Sequence, residues 1–176
     1  MTTPTIERPG IDGPHAGLLD WLAVHRVDYE LHEHPMALTA LAAAEADGVD
    51  PRRFAKTLVA EKDTGARALL VLDAVDRLDL NKGAAALGTT HIHLVSEAEL
   101  AELAPDMAVG ALPPIGDLVG LPVIADPAIR EEATITFPAG SHRFSVIVDR
   151  AAWERAVRVT YSDLAVPVDR GPIWAR

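Results

Sequence analysis

Apolar positions along this chain change their spacing several times, and each change marks an element. Leu18, Leu19, Leu22 and Val27 recur at helical intervals, which predicts a helix over about Ala16 to Val27. Tyr29 to His34 alternates and then meets Pro35, where a short strand has to stop. Thr39 to Ala46 is alanine-rich and reads as a helix, with Gly48 as its stop. The apolar run Phe54 to Ala60, the turn Asp63-Thr64-Gly65-Ala66 and the run Ala68 to Leu72 read together as an antiparallel hairpin.

Leu80 to Leu87 reads as a short helix closed by Gly88, and Thr90 to Val95 as a strand. Ser96-Glu97-Ala98-Glu99 is a capping box opening a helix up to Leu103. Val109 to Gly116 cannot be regular structure, because Pro113 and Pro114 lack donors and Gly110 and Gly116 favour close backbone approach. Leu121 to Ala125 is a further strand, and Asp126-Pro127 opens a short helix with a cap followed by proline. Ala133 to Phe137 and His142 to Val148 read as strands joined by Pro138-Ala139-Gly140-Ser141. Asp149 then caps a helix through Val157, and a last strand lies near Val159 to Tyr161. This irregular interleaving predicts one mixed α/β (α+β) domain over 15–176, behind a flexible tail at 1–14.

Composition adds mainly exclusions. The 176 residues contain no cysteine, so disulfides, thiolate nucleophiles and cysteine-bound zinc drop out. No apolar run reaches the length of a membrane span, and the first 14 residues lack a signal-peptide core. A soluble, cytoplasmic protein with no membrane partner is the expectation. The net charge of −10 argues against broad binding to a nucleic-acid backbone, DNA included. It leaves room for a small basic mouth that takes one end of a polynucleotide.

Against that background Lys56 stands out, as one of three lysines and inside an apolar strand. One face of that strand would carry Phe54, Lys56, Leu58 and Ala60, the other Ala55, Thr57 and Val59. An ammonium placed there is costly to desolvate unless something anionic answers it. It is either a grip for a phosphate or carbonyl oxygen, or the partner of a buried Asp or Glu. His32 with His34, and His91 with His93, could each put two imidazoles on one strand face, or simply occupy solvent-facing positions. His142 alternates with Phe144, Val146 and Val148, which fits a core histidine or a pocket rim beside Gly140-Ser141. Asp126 is accounted for as a helix cap. No nucleophile elbow, phosphate loop or dinucleotide fingerprint occurs, so a hydrolase here would work by positioning and oriented hydrogen-bond donors.

Six segments resemble, in order, the YbaK/prolyl-tRNA synthetase-associated domain family. They are His34-Pro35 with Thr39, Phe54 to Val59, Leu78-Asp79-Leu80 running to Leu87-Gly88, Val109 to Gly116, Leu121 to Asp126, and Phe137 to His142. The resemblance spans about Leu18 to Leu164 and implies a mixed, mostly antiparallel, partly barrel-like sheet surrounded by helices. It implies an aminoacyl-tRNA deacylase acting in trans, because a synthetase pocket discriminates poorly against slightly smaller side chains and a second site must edit. Lys56 matches the family's lysine, Gly110 to Pro114 its glycine-x-x-x-proline loop, and His142 a histidine that a subset carries. By the same resemblance Lys56, Gly110 and His142 would be catalytic, and a bound water, helped by the substrate's ribose hydroxyl, would attack. His34, Thr39, Thr57, Ala111, Leu112, Pro113, Pro114 and Asp126 would bind substrate. The implied partner is the acceptor end of a mischarged tRNA, with a synthetase or elongation factor as a further partner and no cofactor or metal. The residues between Gly110 and Pro114, Ala-Leu-Pro, carry no hydroxyl, so the amino acid stays open. Two other readings remain: a non-catalytic aminoacyl-tRNA or synthetase-binding module of this fold, and a hydrolase whose metal is held by the paired histidines.

Overall fold

The computed structural model of the protein describes residues 12–166. Helix α1 (Ala16–Val24) buries Leu18, Trp21 and Leu22, and β1 (Tyr29–Glu33) stops two residues short of Pro35. Helix α2 (Ala40–Asp47) begins where the Thr39 hydroxyl accepts the Ala42 N–H and ends at Gly48, in the left-handed region at φ 69°. The predicted hairpin is β2 (Ala55–Lys62) with β3 (Arg67–Asp73). After β4 (Arg77–Leu78), α3 (Leu80–Ala86) and β5 (Ile92–Leu94) comes α4 (Glu97–Leu103), with its capping box complete. A 3₁₀ turn at Gly116–Leu118 closes the irregular loop, and β6 (Val123–Ala125) leads to a second at Pro127–Glu131. The rest is β7 (Thr134–Pro138), β8 (Phe144–Asp149), α5 (Arg150–Val157), β9 (Thr160–Tyr161) and β10 (Ala165–Val166).

The strands form one five-stranded sheet in the order β5-β2-β3-β6-β9, one three-stranded sheet β1-β8-β7, and the small pair β10-β4. Pairing is antiparallel except between β3, β6 and β9, which run parallel. The partly barrel-like sheet expected from the sequence is not closed. Among the described residues its two main sheets meet at one parallel bridge, Phe54 to Thr136, and β5 covers only Ala60–Lys62 of the same β2 edge. The main core fills the space between these sheets and α1 and α5, with Leu22, Val71, Phe137, Val146 and Trp153 at its centre.

Two further expectations change. His142 does not belong to β8, which starts at Phe144. The turn is longer than the alternation implies, since Ala139 N–H donates to Phe144 O, Arg143 N–H to Ser141 Oγ, and Ala37 N–H to His142 O. Of the tail expected at 1–14, residues 1–11 lie outside the described residues; at Asp12 the carbonyl accepts the Ser141 hydroxyl. Residues 167–176 of the expected domain are outside them as well.

Asp126 holds the end of β6 in place. Its Oδ1 accepts Ala128 N–H at 3.0 Å, and Oδ2 accepts Leu164 N–H at 2.9 Å and Ala165 N–H at 3.1 Å. Asp126→Ala strands buried donors, so urea unfolding should register a loss of about 2–4 kcal/mol.

Candidate functional site

The site begins with an opening in the five-stranded sheet. In β2, Val59 O accepts Val95 N–H, and among the described residues no strand continues that pairing toward Thr57. Opposite Thr57, Val71 turns its carbonyl away to Asp126 N–H, so Thr57 and Val71 are a pair that does not exchange hydrogen bonds. Thr57 therefore directs its own N–H and C=O to the open edge. Between β5 at one end and the Phe54–Thr136 bridge at the other, that edge lines a cavity of about 280 Å³. Lys56, Thr57, Leu94, Leu100, Gly110 and Pro138 are among its walls.

Lys56 is half-buried at this edge. Burial lowers its pKa from the ordinary lysine value, while the carboxylates of Asp76 and then Asp73 act in the opposite direction and favour the ammonium. Both are 1% exposed. The lysine thus has the acidic neighbours that one sequence reading called for, and it also lines the cavity. Asp73 and Asp76 are the site residues that reading missed. The available signal was two acids three apart at the end of the most apolar strand.

Gly110 is the junction of the site. Its φ is 87°, and besides the main cavity it walls a lobe of about 20 Å³ with Thr57, Leu103, Met107 and Leu112, and another of about 10 Å³ with His34, Thr39 and His142. A Cβ at this position would lie 3.8 Å from His142 Cε1 and 3.9 Å from Leu38 O. The following segment is buried from Ala111 to Gly116 and anchored by Trp153, whose indole N–H donates to Pro114 O at 3.0 Å. Leu112 lines the apolar lobe, whereas Ala111, Pro113 and Pro114 are buried and are not among the walls of the main cavity or of either lobe. The Thr57 hydroxyl is buried with no hydrogen-bond partner among the described residues.

Half-buried His142 thus reaches the site from across Gly110 and Pro138, which wall both its lobe and the Lys56 cavity. His34 is a buried structural ring: Nδ1–H donates to Pro35 O at 2.8 Å, which leaves Nε2 to accept the Ser145 hydroxyl at 3.0 Å. Thr39 caps α2 beside that lobe. Asp126 is elsewhere, its carboxylate engaged by the three amides above. The paired histidines do not converge. His32 bonds Asp47 and Glu30, His91 bonds Thr90, and His93 faces Glu61. Among the described residues no three His, Cys, Asp or Glu side chains are grouped to hold a metal ion.

The aminoacyl-tRNA editing domain model matches residues 34–156, from His34 at the small lobe through Lys56, Gly110 and His142 into α5. The chain belongs to that family. Solved structures carry the same fold. A protein described as a candidate trans-editing enzyme for prolyl-tRNA synthetase superposes with a TM-score of 0.74 at 23% identity, over 85% of this chain and 95% of that one. A hypothetical protein gives 0.76 at 18% identity, over 84% and 98%. A candidate signal-transduction protein from Marinobacter aquaeolei gives 0.68 at 15% identity, where the fold covers 85% of this chain but 30% of the other. As an editing domain the chain has a deacylase-type function with tRNA as the interacting substrate, and its mixed fold is the one the six segments resemble.

Proposed function

We propose that the protein hydrolyses, in trans, the ester of a mischarged aminoacyl-tRNA, holding it with Lys56 and the Gly110–Pro114 loop. The observation that carries this reading is the open β2 edge, where Lys56 and Thr57 line one cavity that is also walled by Gly110. An ester carbonyl placed there would meet a cation and a fixed N–H donor. Both would gain strength as negative charge develops on that oxygen. The main chain at Gly110 can approach the substrate without a Cβ in the way. A water, with help from the substrate's own ribose hydroxyl, would attack, and no protein nucleophile or metal is needed.

The acidity of the chain bears on how the substrate arrives. A net charge of −10 gives little attraction for a tRNA body, so a synthetase or elongation factor suits delivery better than free tRNA. A cytoplasmic setting goes with that role. A single-turnover panel of mischarged and correctly charged tRNAs tests the reading. At least one mischarged ester should be cleaved about tenfold faster than its correctly charged counterpart. If every ester decays at its spontaneous rate while a non-hydrolysable aminoacyl-adenosine analogue binds tightly, the protein is a binding module and the deacylase reading is wrong.

A further inference from the structure

His15 precedes the stretch matched by the family model, yet it joins two segments that build the site. Its Nδ1 accepts the Leu18 N–H at 3.0 Å as the cap of α1. That nitrogen therefore carries no hydrogen, and Nε2–H donates to Asp106 Oδ2 at 2.6 Å. The His15 backbone N–H donates to Ala139 O at 2.8 Å. The contact between these segments is close: a Cβ on Gly140, whose φ is 74°, would lie 2.8 Å from His15 Cβ and 3.3 Å from Met107 Cγ. The two segments are also stitched to each other, Ala108 N–H to Gly140 O at 2.9 Å and Gly140 N–H to Ala111 O at 3.1 Å. One segment carries Gly110 and the other follows directly on Pro138, which are walls of the Lys56 cavity and of the His142 lobe.

We propose that His15 is a positioning residue, which clamps the 106–111 segment against the 139–141 turn and so sets the placement of Gly110 and Pro138. Its contribution to catalysis rests on the deacylase reading; the clamp itself does not. The hydrogen bond from His15 is also the leading reason that the Asp106 carboxyl is held below its ordinary pKa. His15 has 12% of its side chain exposed and Asp106 has 69%, so Asp106 can be altered without opening the core. A displacement of even about 1 Å at Gly110 is enough to misalign a bound ester and slow its cleavage.

The test uses the full chain with His15→Asn, Asp106→Ala and the double variant. Asparagine retains a side-chain acceptor for the α1 cap but is too short to reach Asp106. Arg130→Gln, which breaks the distant Arg130–Glu154 pair, serves as a control for loss of a surface interaction. Both single variants should lose about tenfold in kcat with KM changed by less than about twofold, and the double should be no worse than the weaker single, as for two halves of one clamp. Arg130→Gln should keep its kcat. Amide exchange at Ala108, Ala111 and Gly140 should speed up in His15→Asn. Unchanged kcat, a loss confined to KM, or an equal loss in Arg130→Gln would overturn the positioning role. If the wild type cleaves no ester, the deacylase reading fails and amide exchange alone decides: unaltered protection at those three amides sinks the clamp, and faster exchange upholds it.

Discussion

Lys56→Ala is expected to lower single-turnover kcat/KM by about 10²–10³-fold, the scale for removing one pre-oriented charge from a site where negative charge develops. Stability should not follow activity. Burial disfavours the Lys56 ammonium, so the lysine costs folding free energy wherever it is charged, below its lowered pKa. That cost shrinks as pH rises through the lowered value toward the ordinary lysine range. Alanine removes it, and the variant's Tm at neutral pH should match the wild type or exceed it. Activity runs the other way. Once spontaneous hydrolysis is subtracted, the wild-type rate should fall on an alkaline limb that begins below the usual lysine range, and Lys56→Ala should lack that limb. Lys56→Arg should recover only part of the rate, because a planar guanidinium does not reproduce a compact ammonium at a half-buried edge. A Lys56→Ala enzyme that turns over like the wild type removes Lys56 from the mechanism.

The largest effect on stability is expected at Gly116. A Cβ built there lies 1.9 Å from Leu121 O, 3.0 Å from Val123 Cγ2 and 3.1 Å from the Leu121 carbonyl carbon. The nearest atoms are main chain, so no side-chain rotation relieves the overlap. Gly116 O also accepts the N–H groups of Val119 and Leu121, closing the loop that delivers β6 to its place between β3 and β9. Gly116→Ala must push the Leu121 main chain away and so disturb β6 where it packs between β3 and β9. Urea unfolding should show a loss of about 3 kcal/mol or more, at the upper end for overpacking. Gly13→Ala, with nothing within 4 Å of the added carbon, should be close to neutral and serves as the comparison. Equal midpoints for the two variants would mean that the loop yields more easily than its geometry implies.

Local signals carried most of the fold into the sequence. The Ser96–Glu99 box, the hairpin turn at Gly65 and the stop at Gly48 are decided by residues within a few positions of one another, and the structure forms all three. His142 misled for the opposite reason. The alternation of β8 extends backward through turn residues whose hydrogen bonds go to distant Ala37 and nearby Ser141, which no periodicity records. Lys56 was visible because a charge in an apolar run is anomalous wherever the run ends up. Its counter-ions and its cavity were not. Asp76 comes near only through folding, and the cavity exists because β5 and β7 leave the same strand edge at different points. The support of the 110–114 loop by Trp153 is likewise a contact across 39 positions of sequence.

The walls of the main cavity come from Ala40 to Pro138 along the chain. No short fragment carries them all, and bringing the distant ones together closes loops of tens of residues. The pocket is therefore a long-range product of the fold: the β2–β3 hairpin by itself supplies Lys56 to Val59 and none of the other walls named above.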